Sequence, residues 1–175
     1  MRNLVVFVGM VLFFTSCGVR RTVIDTSAMY DVGVVINDVR WATRNVDTPG
    51  TFAKNPESAG GLFTWYEAQD ACPRGWRLPT REESQSLDAV GGEWTAVNGV
   101  NGRTFGTVPN QLFLPAAGHR AASSGALTGV GAWGFYWCSM PSGTDGAMTL
   151  AIDSADSGVS ASNRAHGFSV RCVAE

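Results

Sequence analysis

The residues of this 175-residue chain that could carry chemistry are few: four cysteines, two histidines and scattered carboxylates. Cys17, Cys72, Cys138 and Cys172 could crosslink, cycle redox state or accept a covalent group. None forms a C-x-x-C pair, so spacing couples no two of them. His119 and His166 sit in GHR and AHG contexts, without the H-E-x-x-H arrangement that puts two imidazoles on one helix face for zinc. Asp145, Asp153 and Asp156 could offer oxygens to calcium, yet no EF-hand pattern surrounds them, and turn formation is their expected role. Glu82 and Glu83 read as first-turn helix carboxylates that complement the dipole. Lys54 is the only lysine and no G-x-S-x-G elbow occurs, which excludes Walker-type phosphate binding and lysine Schiff-base chemistry. No catalytic residue, metal ligand or cofactor is therefore assigned. Trp41, Trp65, Trp76, Trp133 and Trp137 lie in strand or helix patterns and are expected mostly in the core. One left exposed could stack on a sugar ring.

Composition narrows the partners. Lys plus Arg is 13 against 15 Asp plus Glu, for a net charge of −2, and no basic stripe exists to neutralise phosphates, so nucleic acid is excluded. A 45% hydrophobic content with so little net charge excludes disorder, and the length suits one domain with its own core.

Residues 1–16 read as a signal peptide. Arg2 supplies a positive start, Leu4 to Phe14 (LVVFVGMVLFF) is an uncharged apolar run, and Thr15 and Ser16 precede Cys17. The run is shorter than the roughly 20 residues of a spanning helix. Phe14 is too large for an A-x-A-like cleavage site. The placement of Cys17 instead resembles the lipobox of bacterial lipoproteins, which implies cleavage before Cys17 and a diacylglyceryl thioether on its sulfur. Several acyl chains on one residue suffice for stable membrane anchoring. Residues 17–31 then form the lipidated cysteine and its tether, without helical or strand periodicity. The expected address is the cell envelope, at the outer membrane. Gly18-Val19-Arg20-Arg21 leaves both the surface and the periplasmic face open.

From residue 32 to residue 175 a single domain is expected. Val34-Val35-Ile36 and Val39-Arg40-Trp41 predict two strands around an Asn37-Asp38 turn. Residues 47–61, rich in Pro, Gly, Asn and Asp, predict an irregular loop. Thr64-x-x-Glu67 and Thr80-x-x-Glu83 are capping boxes that predict two short helices. The first carries Trp65, Ala68 and Cys72 to Pro73, and the second runs through Leu87 and Val90 to Gly91-Gly92. Asn98-Gly99 and Asn101-Gly102 are hairpin-turn signals. Leu112 to Leu114, Gly134 to Ser139, Ala147 to Asp153 and Gly167 to Val173 predict strands, the last with Phe168, Val170 and Cys172 on one inward face. The fold class is α+β: two short helices packed on a small, mostly antiparallel sheet with long loops. Gly118 to Ala132 and Ser139 to Gly146 are the Gly/Ser-rich loops where a binding surface is expected.

Four stretches carry a family resemblance: GVVINDVRWATRNVDTPGTF, LFTWYEAQDACPRGWRLPTREE, LFLPAAGHR and GFSVRCV. With CPRGWRLPT and FSVRCV the most specific, the chain from Val32 to Val173 resembles the Fibrobacter succinogenes major paralogous domain of Bacteroidales envelope lipoproteins. The resemblance implies a C-type-lectin-like fold and a bridge between Cys72 and Cys172. Apart from Cys17, the three cysteines by themselves allow three single-bridge pairings. The EPN or WND calcium signature of sugar-binding C-type lectins is absent. Cys138 stands where the family usually has Ser and reads as a small buried hydrophobe. The function so implied is a lipid-anchored envelope protein with a non-catalytic binding or interaction domain, its partner a glycan or an envelope protein. The alternatives are a thiol oxidase like the formylglycine-generating enzymes, using Cys138, and a purely structural envelope component.

Overall fold

The computed structural model describes residues 26–175. The signal peptide, Cys17 and most of the tether lie outside the described residues. A 3-10 turn, Thr26–Met29, comes first, followed by β1 (Val34–Ile36) and β2 (Val39–Trp41). An irregular segment leads to α1 (Trp65–Ala68), β3 (Trp76–Arg77) and α2 (Arg81–Ala89). A meander follows, made of β4 (Gly92–Val97), β5 (Val100–Thr107) and β6 (Asn110–Pro115). The short pair β7 (His119–Arg120) and β8 (Leu127–Thr128) separates it from a second meander. That comprises β9 (Gly134–Ser142), β10 (Gly146–Ile152) and β11 (Ser157–Asn163), and β12 (Val173–Ala174) closes the chain. No helix among the described residues is long and apolar enough to cross a membrane.

The α+β class holds, but the β structure is divided. Four small sheets have the orders β1-β2-β12-β3, β11-β10-β9, β4-β5-β6 and β7-β8, and every strand pairing in them is antiparallel. The first sheet joins the two ends of the domain. Asn37 and Asp38, at φ 47° and 62°, make the tight turn between β1 and β2, the mirror-image conformation that suits the twist of a two-residue hairpin.

Both capping boxes form. In α1 the Thr64 amide donates to the Glu67 carboxylate at 2.7 Å, and in α2 the Thr80 amide does the same to Glu83 at 2.7 Å. α1 is one turn long, not the two turns that Cys72 at helical spacing predicts. Pro73 disfavours the helical conformation at Cys72, and the Ala71 carbonyl is taken by the Gly50 amide at 2.9 Å. α2 is capped at its C-terminus by Val90, and Gly91 at φ 73° supplies the left-handed residue that ends it.

Two hydrophobic clusters fill the interior, on opposite faces of β9. Trp137 belongs to one, with Phe52, Phe63, Phe168 and Val170. Tyr136 belongs to the other, with Trp41, Leu87, Phe105 and Leu150. At ~200 Å² per fully buried indole and ~25 cal/mol per Å², Trp41 and Trp137 stabilise the fold by about 5 kcal/mol each before the entropy of ordering the chain is counted.

Four expectations about turns, strands and loops need correction. Asn98-Gly99 makes the β4–β5 turn, but Asn101-Gly102 lies inside β5. Gly102 is there for closeness: a Cβ on it would stand 2.3 Å from the Leu114 carbonyl oxygen and 2.6 Å from the Phe113 ring. Gly167 to Val173 is not a free strand with one inward face. It is a wholly buried segment, Ser169 and Arg171 included, held by isolated bridges of Phe168 to Phe63 and Ser169 to Tyr136. The two expected loops also shorten. Gly118 to Ala132 holds β7 and β8, while Ser139 to Ser142 belongs to β9 and Gly146 to β10.

Candidate functional site

The start of β9 and the β10–β11 turn together wall a cleft of about 530 Å³, with β7 at its side. Its aromatic surface comes from Trp133, Phe135 and His119, and its acidic rim from Asp153 and Asp156. Pockets of this size, mostly apolar with a few placed polar groups, are typical of small-ligand sites.

Local backbone contacts fix each wall. Trp133 receives its position from Gly129: the Trp133 amide donates to the Gly129 carbonyl at 2.9 Å, and a Cβ at Gly129 would lie 2.5 Å from Cε3 of the indole. The indole therefore rests on bare backbone and stays 46% exposed, against the expectation that it joins the core. The Gly118 amide donates to the Trp133 carbonyl at 2.7 Å, which ties the entry of β7 to that of β9. Phe135 is backed by Phe168 in a stacked pair with centroids 4.9 Å apart.

Asp153 forms an Asx turn. Its Oδ1 accepts from the amides of Ala155 at 2.7 Å and Asp156 at 2.9 Å, and these bonds hold its carboxyl below the usual carboxylate range. Asp156 Oδ1 accepts from the Ser157 amide at 2.8 Å. Turn formation, expected for these aspartates, is what the Asp153 side chain does. Their second oxygens receive no hydrogen bond from the described residues.

His119 sits edge-on to Phe135, centroids 5.3 Å apart, and to His166 at 5.5 Å. Burial, and secondly the neighbouring His166, push its pKa below the ordinary histidine value. His166 stacks on Phe168 and accepts the Ala122 amide at Nδ1, 3.1 Å away, which leaves its proton on Nε2.

The model of the Fibrobacter succinogenes major domain matches residues 35–174. The chain belongs to that family. No curated protein and no solved structure matches it. The matched span reaches from β1 to β12, so every residue of the cleft lies within the Fibrobacter succinogenes major domain itself.

Other candidate residues of the domain fall elsewhere. Cys72 and Cys172 are joined in a disulfide, with their Cα atoms 6.0 Å apart. Cys138 is fully buried and donates to Ser84 Oγ at 3.2 Å, and burial pushes its thiol up to about 11. The redox pairing of Cys138 with Cys172 required an unbridged Cys172, and that condition is not met. Asp145 lines a separate cavity of about 320 Å³ with Tyr66 and Arg164. There the Arg164 guanidinium lies over Trp65, 4.6 Å from the ring centroid, and donates to Gly146 O at 2.8 Å, clamping α1 to the β10–β11 hairpin. Among the described residues, no three His, Cys, Asp or Glu side chains gather to hold a metal ion.

Proposed function

We propose that this member of the family is a lipid-anchored cell-envelope protein whose C-type-lectin-like domain is a non-catalytic binding module. Its ligand enters the cleft beside Trp133. The observation that carries this reading is the half-exposed indole at the mouth of a cavity large enough for a small ligand, held by backbone contacts rather than by a mobile loop. Export is supported by the sequence of residues 1–17, and the bridge between Cys72 and Cys172 fits an oxidising compartment. A thiol oxidase is the weaker reading, because Cys138 is buried, protonated at neutral pH and without a second free cysteine among the described residues.

Three experiments test the parts separately. Cys17→Ala should release the protein from the membrane fraction, and retention there would refute the lipid anchor. Protease treatment of intact cells then assigns the surface or periplasmic face. For the domain, a screen of saccharides, peptides and small organic ions is read by the fluorescence of Trp133, with Trp133→Phe as reference. Binders should act through Trp133; a screen in which every binder acts equally on the reference refutes the cleft as the site, and no binder at all supports the purely structural role.

A further inference from the structure

We infer that the cleft beside Trp133 is built for an alkylated organic ammonium group, such as the trimethylammonium head of a choline-like compound. The inference rests on the proposed reading of this cleft as the ligand site and names the class of ligand.

Charge comes first. Asp153 and Asp156 line the cleft, and neither Lys nor Arg does. The nearest guanidinium, Arg103, is buried and turned to backbone, donating to Asp153 O at 3.0 Å and to Gly92 O at 2.7 Å. His119 faces Phe135, His166 and Phe168, and its burial disfavours the charged imidazolium. An anionic ligand would meet two carboxylates and no cationic side chain in the lining. A cation meets two carboxylate oxygens that no described group already holds.

Hydrogen-bonding capacity separates a cation from a polyol. A neutral sugar needs several fixed donors and acceptors. The Ser157 hydroxyl is spent on Asp88 Oδ1 at 2.5 Å and both aspartate Oδ1 atoms on backbone amides, which leaves the cleft the Ser160 hydroxyl and one oxygen of each aspartate. An alkylated ammonium has no need of directional donors. Its methyl groups pack on aromatic faces, its charge is attracted by their quadrupoles, and the carboxylates add Coulombic attraction. Trp133, the strongest aromatic partner for a cation, is also the exposed one.

The test uses the full lipidated chain in a non-ionic polyoxyethylene detergent. Choline is the probe, and its uncharged isostere 3,3-dimethylbutan-1-ol is the comparison. Choline should change Trp133 fluorescence and bind at least tenfold more tightly than the isostere, a difference of about 1.4 kcal/mol. Trp133→Ala should abolish the response. Asp153→Asn, which keeps an Oδ1 acceptor for the Asx turn, should weaken binding severalfold with an unchanged melting temperature. Tyr66→Ala, at the other cavity, should change nothing. Equal affinity for the isostere, or a choline response that survives Trp133→Ala, overturns the inference. Choline silent while methyl pyranosides act through Trp133 overturns the ammonium assignment and leaves the cleft standing. Silence of Trp133 to every probe overturns both.

Discussion

Breaking the bond between Cys72 and Cys172 should cost this domain a large share of its stability, because of what the bridge encloses. The two residues are 100 apart in sequence, and both meanders, α2 and the cleft lie between them. Crosslinking a loop of that length removes about 4.7 kcal/mol of unfolded-chain freedom in the chain-entropy description. Measured values in other proteins run from about 2 to 4 kcal/mol, so a loss of about 3–5 kcal/mol is expected. That compares with about 5–15 kcal/mol for the whole stability of a typical domain, and it should lower the melting temperature by roughly 10–15 °C. The assay is urea unfolding followed by tryptophan fluorescence on three forms: oxidised wild type, wild type reduced by dithiothreitol, and Cys72→Ser/Cys172→Ala. The reduced wild type isolates the crosslink. The double variant adds about 1 kcal/mol for the sulfur removed from the fully buried Cys172 site. The urea dependence should also steepen on reduction, since the freed chain exposes more surface when unfolded. A reduced protein within about 1 kcal/mol of the oxidised one, at unchanged urea dependence, would refute the view that the bridge acts by restricting the unfolded chain.

Iodoacetamide should leave Cys138 unmodified in the folded protein at pH 8 and alkylate it once urea is added, because its thiol is buried and pushed up to about 11; rapid labelling without urea would contradict this. Gly102→Ala should destabilise by roughly 1–3 kcal/mol in urea unfolding, since its methyl would collide with the Leu114 carbonyl; an unchanged midpoint would show that β5 and β6 can part freely. Glu83 is held below its ordinary pKa, first by Arg77, whose guanidinium donates to it at 2.7 and 2.8 Å, and then by the Thr80 amide. The stability it contributes is present above its unfolded value of about 4.3 and is lost as pH falls through the lower folded value, so Glu83→Gln should flatten the loss of stability below pH ~4.

The capping boxes were readable from sequence because each is complete within four residues: a hydroxyl, a carboxylate and two amides. The same holds for Asn37-Asp38. Longer-range features were not. Asn98-Gly99 and Asn101-Gly102 carry the same local signal, and only the pairing of Gly102 with Thr95 and Pro115 decides which one turns. β11, with the sequence SGVSASN, has one large apolar residue and is a strand because β10 offers it a full register from Gly146 to Ile152. The site was legible in pieces. Trp133, His119, Asp153 and Asp156 each stood out as a residue type, but β7, β9 and the β10–β11 turn assemble them from separate stretches of chain. Phe135 and β11 escaped notice as cleft residues. Glycine before tryptophan, as in Gly129 to Trp133, was the one local hint of an indole lying on backbone rather than in the core.

The bridge and the cleft share one piece of chain. His166 and Phe168 stand behind the aromatic wall, and four residues further on Cys172 ends the same buried segment in the disulfide. Between them the Ser169 amide donates to Phe135 O at 3.0 Å and the Trp137 amide donates to Ser169 O at 3.2 Å, so the wall strand and this segment are stitched directly. Residues 170–172 have no regular ladder pairing; the Val46 amide donates to Val170 O at 3.0 Å and the Ala42 amide to Cys172 O at 2.9 Å, and the disulfide is the covalent tie on that side. Reduction should therefore loosen the segment locally before the domain unfolds. In hydrogen exchange the amides of Ser169 and Trp137 should lose protection on reduction, while those of β10 paired with β11 keep theirs. Trp133 binding should weaken in parallel, because Phe135 loses its backing. Were the Ser169 and Trp137 amides to exchange no faster with Cys172 free, packing of Phe168 against Phe135 and Trp137 alone would be holding the wall. The disulfide would then serve global stability only.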